Sequence, residues 1–112
     1  MNTKDINLDL LLKLEANPEY TQRELSQEMG VSLGKVNYCI KKMIEKGWVK
    51  LLNFGSNPNK VSYIYLLTPK GIKQKARLTL LFLAIKLEEY EILKNEISKL
   101  KKDAEKLKSK EK

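Results

Sequence analysis

Apolar residues recur at helical spacing from the start of the chain. Ile6, Leu10, Leu11 and Leu14 share one face of a helix running roughly from Lys4 to Ala16, and Asn17-Pro18 ends it because proline pushes the preceding residue out of the α region. A second helix opens at Thr21, where TQRE is a capping box: the Thr21 hydroxyl accepts from the Glu24 amide while the Glu24 carboxylate reaches back, and Tyr20 and Leu25 take the two positions of a hydrophobic staple. It ends at Met29-Gly30, glycine being the residue that tolerates a left-handed turn. Only Val31 separates that stop from the next cap, Ser32. The third helix, SLGKVNYCIKKMIEKG, puts Val36, Ile40, Met43 and Ile44 on one face and stops at Gly47. From Trp48 the period shortens: WVKLLNF and VSYIYLL, joined by GSNPNK, predict a β-hairpin with a polar tip. Thr68-Pro69 then opens a last helix, with Thr as cap and Pro at the first helical position. Beyond Gly71 there is neither proline nor glycine as far as about Lys108, so this is one helix of ~40 residues, ~60 Å long.

Two helices joined by a short turn around a glycine form a helix-turn-helix. The expected fold is therefore mainly α with a small β-hairpin: a winged helix-turn-helix domain over residues 1–71, followed over 72–112 by a long C-terminal dimerisation helix with a frayed basic end. That last helix repeats in sevens. With Leu83, Tyr90, Ile97 and Ala104 at position a, Leu93, Leu100 and Leu107 fall at position d, interrupted only by Lys86. Position g is Glu89, Glu96 and Asp103, and position e is Lys94, Lys101 and Lys108. A parallel homodimer sets each acid against a lysine of its partner, whereas an antiparallel pair sets like against like, so the seam predicts a parallel coiled coil. A membrane-surface helix fits less well, because acids are interleaved with lysines around its polar face.

Charge narrows the partner. With 22 Lys+Arg against 14 Asp+Glu, the chain carries +8 at pH 7, which points to an anionic one. No histidine and one cysteine exclude Cys/His metal sites, Ser-His-Asp and Cys-His catalysis, and an internal disulfide. No enzyme activity, cofactor or metal is expected. No apolar run reaches the ~18 residues of a membrane span, and Asp5, Asp9 and Glu15 among the first leucines are unlike a signal peptide, so a cytoplasmic protein is expected.

If Val36, Ile40 and Met43 of the third helix face inward, then Gly34, Lys35, Tyr38, Lys41 and Lys42 face outward, with Ser32 and Asn37 on the flank near its N-terminal end. On the second helix of a helix-turn-helix, that basic and aromatic face is read as a DNA contact rather than a solvated surface. Asn37 can bond adenine bidentately, Lys35 can reach guanine in the major groove, and Gly34 allows close backbone approach. Lys41 and Lys42 are assigned to phosphates. Arg23, Asn59 and Lys60 complete the expected DNA-binding set. Cys39 is read as a small buried hydrophobe rather than a redox sensor, and Trp48, Tyr63 and Tyr65 as hairpin core rather than base-stacking platforms.

Leu25, Ser26, Met29, Gly30, Val31, Val36 and Cys39 match the helix-turn-helix consensus position by position. With the first helix, the hairpin and LLTPKG, the chain resembles MarR-type transcriptional regulators. The phrase QRELSQEMGVSLGKVNYCIKKMIEKGWVK followed by LLTPKGI is most similar to the short MarR-like regulators associated with exopolysaccharide gene clusters. The resemblance covers roughly residues 5 to 100. Together with the coiled coil of the long helix, it leads to the expectation of a homodimer on a palindromic double-stranded operator, with residues 32–46 as the recognition helix. Two departures stand out: the tip, Gly55-Ser56-Asn57-Pro58-Asn59-Lys60, lacks the Asp-x-Arg of typical MarR wings, and the chain is too short for the extra helices that frame effector pockets. The alternative expectation is a winged-helix interaction module that docks on another protein through its coiled coil.

Overall fold

The computed structural model describes residues 3–53 and 63–110, with side chains from Asp5 onward. The order is α1 (Thr3–Ala16), α2 (Gln22–Met29), α3 (Leu33–Glu45), β1 (Val49–Asn53), β2 (Tyr63–Leu67) and α4 (Pro69–Lys110). The chain divides into two compact units, Met1–Thr79 and Leu80–Lys112.

In the first unit, α1 packs against α2, α3 and β2. Ile6, Leu10, Leu11 and Leu14 of α1 are buried with Leu25 of α2, Val36, Cys39, Ile40 and Met43 of α3, Val49, Tyr65 and Leu78. Each such side chain contributes ~1.5–3 kcal/mol relative to exposure, so this one cluster holds three short helices and the hairpin together. Ile44, expected on the same face, is only half-buried. Ion pairs ring the core: Lys13 lies 3.5 Å from Glu28 across α1 and α2, and Lys75 of α4 lies 2.7 Å from a carboxylate oxygen of Glu15. As surface pairs they are worth ~0–1 kcal/mol each.

The helix ends follow the local chemistry. Thr21 caps α2 with its capping box complete, and Gly30 closes that helix at φ 66°. The Gly30 and Val31 amides both donate to the Ser26 carbonyl, and the Ser26 hydroxyl donates to the Val31 carbonyl, so the short side chain where α2 meets α3 also satisfies the turn. Ser32 caps α3 by accepting from the Lys35 amide. Gly47, at φ 76°, lets the Trp48 amide bond back to the Met43 carbonyl at the end of α3.

The strands pair antiparallel, Val49 opposite Leu67 through Asn53 opposite Tyr63. Tyr65 is buried as expected and its amide donates to the Pro18 carbonyl, whereas Tyr63 is 48% exposed. Both lie on one face of the hairpin, but only the end of that face nearest the helices is covered, so Tyr63 is not a core residue. Asn59 and Lys60, with the rest of the tip, lie outside the described residues.

The joint between hairpin and α4 is compact. Thr68 caps α4 by accepting from the Gly71 amide at 3.0 Å, its hydroxyl donates to the Gly47 carbonyl, and its amide donates to the Trp48 carbonyl at 3.0 Å. In the second unit α4 continues unbroken to Lys110, through the stretch expected to fray. No described helix is long and apolar enough to cross a membrane.

Candidate nucleic-acid interface

The buried side of α3 fixes what its other side presents. With Val36, Cys39, Ile40 and Met43 turned inward, Ser32, Gly34, Tyr38, Lys41 and Lys42 are exposed and Lys35 and Asn37 are half-buried. These residues therefore share the outer surface of one helix, as their spacing implies. Tyr38, 53% exposed, is the centre of the cluster: the ammonium groups of Lys35 and Lys42 each stand 5.7 Å from its ring centroid. At that distance a cation is attracted by the ring quadrupole, which holds two flexible lysines over one aromatic. Lys42 also lies 3.4 Å from Glu45, so part of its charge is answered within the helix. Arg23, in the first turn of α2, is exposed.

Asn37 has partners that its sequence neighbourhood does not announce. Its side-chain amide donates to Gln22 Oε1 at 3.1 Å, and Gln22 Nε2 donates to the Tyr65 hydroxyl at 3.1 Å. Gln22 opens α2 and Tyr65 lies on β2, 43 residues away, so no periodicity or local motif could have signalled the connection. Cys39 is buried, and burial pushes its thiol pKa up, with Lys35 opposing more weakly. Depletion of the thiolate suits a packing role and not a redox one.

Residues 4–50 match the family of winged helix-turn-helix DNA-binding domains. The fold is a winged helix-turn-helix. Solved structures carry the same architecture. The winged helix-turn-helix chain is similar to smu.1704 of Streptococcus mutans UA159, with a TM-score of 0.67 and 18% identity over 77% of this chain and 83% of that one. It is similar to a MarR transcriptional regulator of Methanosarcina mazei Go1, with a TM-score of 0.55 and 21% identity over 74% of this chain and 60% of that one. It is also similar to an S. aureus MepR variant bound to an oligodeoxyribonucleotide, with a TM-score of 0.59 and 18% identity over 89% and 76%. No curated protein sequence matches the chain.

The seam expected in α4 is a row of exposed apolar side chains. Leu83, Tyr90, Leu93, Ile97, Leu100 and Leu107 are each 44–66% exposed, and Ala104 is exposed as well. Tyr90, Leu93 and Ile97 form the apolar floor of a shallow groove along the helix, edged by Lys94 and Lys101. Lys86, at the seam's one polar position, reaches Glu89 at 3.1 Å.

Proposed function

We propose that this chain is a sequence-specific double-stranded DNA-binding transcriptional regulator that works as a cytoplasmic homodimer and has no catalytic activity. The observation that carries the reading is the outer face of α3: a basic and aromatic surface on the second helix of a helix-turn-helix. The MepR variant is bound to an oligodeoxyribonucleotide, and the same use of the fold is proposed here. In this reading α3 enters the major groove, Ser32, Gly34, Lys35, Asn37 and Tyr38 face base edges, and Arg23, Lys41 and Lys42 meet phosphates. Asn59 and Lys60 are assigned to the wing contact. Within the MarR-like regulators we place the chain with the short kind associated with exopolysaccharide gene clusters, a resemblance supported by QRELSQEMGVSLGKVNYCIKKMIEKGWVK and LLTPKGI.

Residues 1–71 are the proposed DNA-reading domain and 72–112 the proposed dimerising helix. An exposed stripe such as Leu93, Ile97 and Leu100 is an aggregation risk for a lone chain. A second copy covers it and pairs Glu89, Glu96 and Asp103 with lysines at position e. Two α3 helices are then presented to half-sites ~34 Å apart on one face of a palindrome.

Two variants test the two halves of the proposal. Replacing Lys35 and Lys41 together by Gln is expected to lower duplex affinity at least about tenfold, since each removes a cation from the groove-facing surface. If the rival reading holds, and the fold docks on a protein through its coiled coil, that double variant will bind duplex as the wild type does. Ile97→Lys sets like charges across the seam and is expected to convert the dimer to a monomer in light scattering, with weak half-site binding retained. A variant that still scatters as a dimer would move the interface elsewhere.

A further inference from the structure

We propose that Gln22 is a positioning residue for base recognition: through its bonds to Asn37 and Tyr65 it fixes the Asn37 carboxamide in the orientation that reads DNA. The inference rests on the DNA-binding function proposed above and adds to it a residue outside the recognition helix.

A carboxamide is a poor reader unless something sets its rotation. Asn37 Nδ2 has two protons and Oδ1 two lone pairs. A bidentate contact to adenine uses Oδ1 and the proton on the same side of the amide. The other proton is then left over, and on a half-buried side chain it requires an acceptor. Gln22 Oε1 accepts from Asn37 Nδ2 at 3.1 Å, which suits that leftover proton and leaves Oδ1 available to a base.

Gln22 is itself held at its far end. Its Nε2 donates to the Tyr65 hydroxyl at 3.1 Å, and Tyr65 is 7% exposed, with its backbone amide bonded to Pro18. The chain of bonds therefore starts on a buried ring in β2, passes through the first residue of α2 and ends on α3. Restricting a rotamer before binding lowers the entropy lost on contact, and the restriction favours only the sequences that the fixed orientation matches. Gln22 thus contributes to discrimination among sequences without touching DNA.

The test uses the full-length chain, a duplex that it selects from a random-sequence pool, and a scrambled duplex of the same length. Gln22→Leu is expected to reduce the ratio of selected to scrambled affinity about tenfold, close to the effect of Asn37→Ala, because both remove an oriented bidentate contact. Gln22→Glu retains two acceptors, one for Asn37 and one for the Tyr65 hydroxyl. It is expected to keep the ratio while weakening both duplexes through its added negative charge. Tyr65→Phe, which loosens the anchored end, should lower the ratio by a smaller factor, about threefold. In an Asn37→Ala background, Gln22→Leu should change the ratio no further, as residues acting through one contact are not additive. In the free protein, the Asn37 side-chain amide should show slowed hydrogen exchange and restricted motion by NMR, both lost in Gln22→Leu. A Gln22→Leu chain that keeps the wild-type ratio, or that loses affinity equally for both duplexes, overturns the proposal. So does an Asn37 amide as mobile in the free wild type as an exposed one. A wild type that prefers no sequence at all would instead overturn the DNA-binding function, a distinguishable failure.

Discussion

Gly71→Ala is expected to lower folding stability by about 3 kcal/mol or more and to shift the melting transition down by more than about 10 °C. Gly71 is buried at the first turn of α4, and a Cβ there would stand 1.9 Å from the Trp48 carbonyl oxygen and 2.9 Å from its carbon. Those atoms are backbone, with no flexible end to swing aside. The Trp48 carbonyl already accepts the Thr68 amide, and Thr68 in turn caps α4 and bonds Gly47. Moving the Trp48 peptide aside would strain all three bonds at once and pull Val49, buried and paired with Leu67, out of its place. Overpacking alone costs ~1–3 kcal/mol, and loss of the cap adds ~1 kcal/mol. Gly34→Ala is the matched control: a Cβ at Gly34 meets nothing within 4 Å, so the protein should melt no lower than the wild type, while duplex binding weakens if backbone and DNA approach closely there. A Gly71→Ala protein that melts like the wild type would show that α4 can slide away from the hairpin without loss.

Affinity for a palindromic duplex is expected to fall at least about a thousandfold between 50 and 200 mM salt. In the proposed dimer Arg23, Lys41 and Lys42 of each subunit meet phosphates, the low end of the ~6 to 10 whose neutralisation gives such a loss, and release of their counterions sets the slope. A titration of binding against salt measures it directly. Binding that is flat over this range would remove the basic face of α3 from the mechanism, whatever else the fold does.

How much of this was readable from sequence varies with the range of the interaction. The Thr21 capping box, the Ser32 cap, the left-handed Gly30 and the inward Val36, Ile40 and Met43 depend on residues within seven positions of one another, so spacing located them; Cys39 is placed by its match to the helix-turn-helix consensus, and Ile44, which the same spacing turns inward, is only half-buried. The hairpin was legible for the same reason, as was the start of α4 at Thr68-Pro69. What spacing could not supply were contacts closed by the fold. Alternation treats Tyr63 and Tyr65 alike, yet the domain covers one and not the other. Spacing along α4 does not single out Gly71, although it is where the helix comes closest to the Trp48 backbone. Gln22 carries no local signal of a role, since its partners Asn37 and Tyr65 lie 15 and 43 positions away.

The single cysteine in this chain has a use beyond filling space. Cys39 is 1% exposed in the centre of the first unit, and burial holds its thiol protonated above the ordinary range. An alkylating reagent reaches it only when the helices part, and the lone thiol makes every modified molecule a record of one such event. The protein therefore carries its own stopwatch for opening, readable by mass without an added label, and the same clock will run faster in any variant that loosens the seat of α4.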